Sequence, residues 1–158
     1  MARNRGNTPS IRWGYSRAEA GSAGFRSTYE YAIAKQLEAE GVAFEYEAES
    51  YPIYVPASRV YICKDCGGDC LRQMVYTPDF FFNERTFIVE AKGRFDAAHR
   101  VKALEFRKQY PSVEYALLFE ENNKLSKKSK TRYTDWAEKN GILCAVGLMP
   151  RNWLKEVT

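Results

Sequence analysis

Hydrophobic residues follow two periods along this chain, and the changes from one to the other mark its elements. Ile33, Ala34 and Leu37 recur at helical spacing, with Glu30 on the same face. Ser27 and Glu30 have the spacing of a capping box and Gly41 supplies a C-terminal stop, so a helix is predicted between them. Residues 44–49 alternate with period two and predict a strand whose acidic face includes Glu45. Pro52 and Pro56 break the next stretch into extended pieces. Apolar runs at 80–82 and 87–89 predict strands buried on both faces, joined by a loop at Asn83, Glu84 and Arg85. Residues 95–110 predict a helix with Val101, Leu104 and the Lys108 stem on one side, ended by Pro111. A strand at 113–119, a short helix through Trp136 to Gly141 and a strand at 143–146 complete this half. Pro150 suits the first turn of a closing helix. This order predicts an α/β domain, a mixed central sheet flanked by helices.

Chemistry concentrates on the paired strands. Thr77-Pro78-Asp79 heads the first apolar run, and Glu90-Ala91-Lys92 ends the second. Side chains on a strand alternate between faces, so Glu90 and Lys92 share one, and the hairpin brings Asp79 beside Glu90. Two carboxylates and an ammonium then converge on one small volume. Hard oxygen ligands of this kind suit magnesium or manganese, and Lys92 could hold or activate a water beside the metal. Charged residues on a strand also form solvated faces. The flanking apolar runs argue against that reading, because burying two carboxylates without a cation is costly.

Length and charge narrow the classes. With 158 residues and 45% apolar composition, the chain predicts one domain with a full core. It lacks an apolar run of about 18 residues and an apolar signal core behind Met1, so no membrane partner is expected and an intracellular location is. His99 is the single histidine, which excludes a zinc hydrolase with two or three histidine ligands within one chain. It reads as a partly exposed helix residue. Residues 1–22 carry Arg3, Arg5, Arg12 and Arg17 and read as a flexible basic arm, in which Trp13 and Tyr15 could stack on bases or dock on the domain. Residues 122–132 hold Lys124, Lys127, Lys128, Lys130 and Arg132 without an acid, a solvated loop or a phosphate-contacting one. Spacing alone leaves Glu30 between a reciprocal cap and a functional acid, and Glu45 on a solvated edge.

Several segments resemble the phage-type endonuclease I family, the Holliday-junction-resolving enzymes of short-tailed lytic phages. They include Phe25-Arg26-Ser27, Phe44-Glu45-Tyr46-Glu47, Val55-Pro56-Ala57-Ser58, Tyr76-Thr77-Pro78-Asp79-Phe80, Val89-Glu90-Ala91-Lys92-Gly93 and Pro150-Arg151-Asn152-Trp153. The resemblance covers about residues 25–156 and implies a restriction-endonuclease-like core in an intertwined homodimer that exchanges N-terminal elements. It implies that Asp79 and Glu90 ligate magnesium or manganese, two ions per site, with Lys92 beside them and Glu30 completing the site from the other subunit. Glu45 matches a further acidic position of the family. The implied substrate is branched DNA, chiefly four-way junctions, and the implied location is the cytoplasm of an infected bacterium. A binding protein without cleavage, and a restriction or repair nuclease of the same core, are the alternatives.

One segment departs from the family pattern. A cysteine-rich insertion at about 60–74 interrupts the nuclease domain of residues 23–158, where the family has a short connection. Cys63, Cys66 and Cys70 lie within eight residues, and Cys66-Gly67 completes the turn of a zinc knuckle. Structural zinc is the leading reading, with Cys144 as a candidate fourth ligand; a disulfide or free thiols are the others.

Overall fold

Two aromatic strands run through the middle of the molecule and divide its core in two. The computed structural model describes residues 12–56, 67 and 71–157. Its elements are α1 (Arg17–Ser22), α2 (Thr28–Ala39), β1 (Glu45–Tyr46), β2 (Tyr51–Pro56), β3 (Leu71–Tyr76), β4 (Phe80–Phe82), β5 (Phe87–Lys92), α3 (Ala97–Gln109), β6 (Glu114–Phe119), α4 (Tyr133–Lys139), β7 (Leu143–Val146) and α5 (Arg151–Glu156). The main sheet runs β1-β4-β5-β6-β7, antiparallel from β1 to β5 and parallel from β5 to β7. The expected mixed α/β architecture is present.

Alternation along the central strands sends successive side chains to different cores. Phe80, Phe82, Phe87 and Val89 pack with Ile33 and Leu37 of α2 and Trp153 of α5. Phe81, Ile88, Leu117 and Phe119 pack with Phe106 of α3, Tyr133 of α4 and Ile53 of β2. Because Phe80 pairs with Val89, Phe81 with Ile88 and Phe82 with Phe87, the same parity puts Asp79, Glu90 and Lys92 on the second face. That register carries the site.

The structure corrects several local expectations. The strand predicted at 44–49 is cut to Glu45–Tyr46, because Glu47 takes a left-handed backbone (φ 48°) and gives its N–H to the Asp79 carbonyl. Residues 51–56, expected only as extended pieces, form β2 and pair with β3. Tyr51, Ile53 and Val55 point inward while Pro52 and Pro56 occupy outward positions. On α3, Val101 and Leu104 are exposed and the buried seam is Ala103 and Phe106. Phe106 packs against the rings of Tyr51, Tyr76, Tyr110 and Tyr115, an aromatic anchor that the aliphatic pair cannot match. Pro150 is the N-cap of α5 and not within its first turn.

Residues 12–22, expected as part of a flexible arm, are folded onto the domain. Ser16 and Glu19 close a capping box at the start of α1. Trp13 stacks on Tyr29 with centroids 5.3 Å apart and donates from Nε1 to Glu120 Oε1 at 2.7 Å, while Arg12 pairs with Glu121. Two acids at the end of β6 thus hold what the arm's basic composition alone would leave loose. Residues 1–11, including Arg3 and Arg5, lie outside the described residues, as do Cys63, Cys66 and Cys70. No helix among the described residues is long and apolar enough to cross a membrane.

Candidate active site

The β4–β5 hairpin sets the floor of a cavity of about 290 Å³. Its loop turns on Asn83, Glu84 and Arg85, all left-handed (φ 49°, 54° and 67°), and Arg85 is held by Glu45 at 2.7 Å and Glu49 at 3.3 Å. Asp79 leads into β4 behind Pro78, whose ring fixes its own φ and biases Thr77 toward extended backbone. Its Oδ2 accepts the Ala91 N–H at 2.8 Å across the hairpin. Asp79 and Glu90 are 6% and 2% exposed, so the expected burial of both acids is observed.

Charge on this floor is unbalanced. Lys92 pairs with Glu90 Oε1, but Glu90 Oε2 is buried with no hydrogen-bond partner. Burial raises the Asp79 pKa well above the usual aspartate range, the Glu90 charge adds to that, and Lys92 offsets part of it. Burial alone would lower the Lys92 pKa, but Glu90 and Asp79 together outweigh it and hold the ammonium charged. Two acids therefore share one close cation. An orphaned buried oxygen in an all-oxygen donor set fits a hard divalent ion, which would neutralise the remaining charge. Among the described residues, however, no three acid, thiol or imidazole groups already form a cluster that could hold a metal ion.

The missing acid stands on the wall. Glu30 lines the same cavity from α2, the helix on the opposite face of the sheet. Ser27 Oγ accepts the Glu30 N–H at 3.1 Å, so half of the predicted capping box exists. The Glu30 carboxylate does not reciprocate to Ser27; it accepts from Tyr46 Oη at 2.5 Å and from the Arg26 N–H at 3.2 Å. Glu30 thus reaches the pocket of its own chain, where the family resemblance implies one from the other subunit.

Other expected residues lie elsewhere. Glu45 is not in the cavity: Tyr46 takes the Glu30 side of β1, and Glu45, on the opposite face, pairs with Arg85. Arg17 borders an adjoining cavity of about 560 Å³ that shares Arg26, Glu30 and Ala91 with the first. Lys124, Lys127, Lys128, Lys130 and Arg132 are carried on the loop after β6, which is closed by the Leu125 N–H to the Thr131 carbonyl at 3.0 Å. Cys144 is half-buried, its thiol facing the Thr134 carbonyl, and burial pushes its pKa up.

Residues that sequence reasoning passed over complete the cavity. His99 and Lys102 line it from α3, and Arg26 lines it from the turn before α2. The available signal was the three-residue spacing of His99 and Lys102, which shares a helix face, a few residues beyond Lys92. Tyr76 and Tyr115 close the back through a 2.9 Å hydroxyl–hydroxyl hydrogen bond.

A family model described as phage endonuclease I matches residues 12–158. "Endonuclease I" of Escherichia phage T7 is 38% identical over 133 residues, covering 84% of this chain and 79% of that protein. "Endodeoxyribonuclease 1" of Enterobacteria phage T3 is also 38% identical over 133 residues, covering 84% of this chain and 78% of that one.

Proposed function

The chain belongs to the phage endonuclease I family, and from that premise we propose that it cuts branched DNA, chiefly four-way junctions, by divalent-metal-dependent phosphodiester hydrolysis. The observation that carries the reading is the buried Asp79–Glu90 pair, whose one lysine leaves a carboxylate oxygen without a partner. Asp79, Glu90 and Glu30 would hold magnesium or manganese, two ions per site. Such ions stabilise negative charge on the attacking and leaving oxygens of an in-line displacement.

The chain's own residues have separable tasks. Lys92 keeps its charge and faces the scissile phosphate, where it neutralises an oxygen or orients the attacking water. Glu30 is kept in place by Tyr46 and the Arg26 amide until substrate and metal compete for it. Arg17 and the residue 122–132 loop contact phosphates, so junction choice comes from backbone shape more than from base reading.

The working unit is a homodimer, because paired cuts in opposed strands need two sites. Glu30 and Arg26 precede the β2–β3 hairpin, while Asp79, Glu90 and Lys92 come after it. Exchange of the first part between subunits would therefore leave the composition of each pocket unchanged. Mixing Glu30→Ala and Asp79→Ala chains tests this: exchanged heterodimers collect both lesions in one site and regain nicking at the other. Stable heterodimers that stay inactive would place Glu30 in cis.

Cys63, Cys66 and Cys70 hold a structural zinc. Supporting this, β2 and β3 pair up to Pro56 and Leu71, so the ends of the segment bearing these cysteines are held together. The packing of Cys144 against Thr134 argues against it as fourth ligand. Metal analysis of reduced protein grown with zinc should find about one zinc per chain; finding none excludes the site. Phage relatives and a DNA substrate point to the bacterial cytoplasm as the place of action.

The activity itself is tested with a synthetic four-way junction beside a matched linear duplex. Magnesium-dependent paired cuts in the junction are expected. Equal cutting of both substrates would move the reading to a general nuclease.

A further inference from the structure

The donors lining the catalytic cavity are not equally available. Lys92 is paired with Glu90 and Arg26 with Glu47. A phosphate entering between three carboxylates gains, beside Lys92, from donors that no carboxylate already shares. His99 and Lys102, one turn apart on α3, are the candidates: among the described residues neither the His99 Nε2 nor the Lys102 ammonium meets a protein acceptor.

His99 has its other nitrogen fixed. Nδ1 accepts the Asp96 N–H at 3.4 Å, while Asp96 Oδ1 accepts the His99 N–H at 3.1 Å, a reciprocal cap on α3. Nδ1 also lies 3.1 Å from Asp96 Oδ1, which would take a hydrogen bond from any ring that carries a hydrogen on Nδ1. Burial, with the Lys92 charge behind it, lowers the His99 pKa and so favours the neutral ring. A neutral ring that accepts at Nδ1 carries its hydrogen on Nε2. With Nδ1 taken by the Asp96 amide, the ring is a donor at Nε2 on the cavity wall, held by the start of its own helix.

We propose that His99 is a further catalytic residue, whose Nε2–H donates to a non-bridging oxygen of the phosphate held above Asp79 and Glu90. This rests on the reading of the pocket as a DNA-cutting site. No proton leaves the ring; the hydrogen bond strengthens as charge grows on the phosphate oxygens. Lys102 adds a cation to the same wall.

Three substitutions separate this role from the capping role, with cutting of a four-way junction measured in single turnover at saturating protein. His99→Gln keeps both an acceptor for the Asp96 N–H and a donor. His99→Glu keeps the acceptor, the favoured residue of a capping box, and has no donor. His99→Ala has neither. The Gln chain should cut near the wild-type rate, and the Glu and Ala chains about 10- to 100-fold slower. Melting temperatures should sort otherwise, with Gln and Glu near wild type and Ala lower. Equal cutting by the Gln and Glu chains, or wild-type rates in all three, would overturn the proposal. Failure of the parent reading is distinguishable, since the wild-type chain itself would then leave the junction uncut.

Discussion

Glu90, on the floor of the pocket, is 2% exposed, bound to Lys92 and left with one oxygen unpartnered. Glu30, on the wall, is half-buried and has its carboxylate taken up by Tyr46 and the Arg26 amide. The floor is built from strands whose register admits no other placement, and its charge is uncompensated. The wall is a helix start whose acid is already satisfied. In the proposed reaction such a site would divide its labour: the floor carries an electrostatic need that a cation would meet, and the wall an acid that can change partners.

The sharpest break in that comparison comes from the floor. Asp79→Ala and Glu90→Ala should each lower junction cutting by at least about a thousandfold. Binding should survive in gel shifts, because removing an acid relieves repulsion from phosphate. A variant that cut at near the normal rate would remove these residues from the reaction.

On the wall the effects should be smaller and graded. Glu30→Gln should slow cutting by about a hundredfold, and Tyr46→Phe, which only frees the carboxylate, by about tenfold or less. If Tyr46→Phe matched Glu30→Gln, the tyrosine itself would belong to the reaction.

Stability should move in the opposite direction to activity at Asp79. Its folded pKa lies above the unfolded value, so between the two the folded state binds the extra proton. Metal-free stability from this group therefore falls as pH rises through that window, and is regained as pH drops below it. Asp79→Asn removes the loss, so the metal-free variant should melt above wild type on the alkaline side. A gain of about 1 kcal/mol reads as roughly 2–4 °C at this chain length. Unchanged melting across that window would show that the aspartate is not strained.

Legibility in the sequence divides along the same line. Asp79, Glu90 and Lys92 are legible because a short hairpin between apolar runs leaves one register, and parity does the rest. The wall is not. Spacing leaves Glu30 between a cap and a functional acid, since nothing local reveals that Tyr46 competes for its carboxylate. Val101 and Leu104 read as one side of α3, whereas the ring cluster around Phe106 decides which side is buried. Residues 12–22 read as loose because Glu120 and Glu121, which hold them, lie over a hundred positions away. His99 reads as ordinary because the pocket it lines is assembled from separate elements.

The smallest effect belongs to the exposed loop. Lys127→Gln with Lys128→Gln should weaken junction binding severalfold and reduce the salt slope by about one for each phosphate no longer neutralised. The single-turnover rate at saturating protein should not change. A lowered rate would bring this loop into the reacting centre.

The most direct test of the floor as a metal-dependent cutting centre is the junction cutting rate followed against magnesium concentration, for wild type and Asp79→Asn together. Wild type should be silent in chelator and rise to a plateau, while the variant stays at background at every concentration although it still binds the junction. Cutting by wild type in chelator, or a variant curve that tracks wild type, would contradict the account.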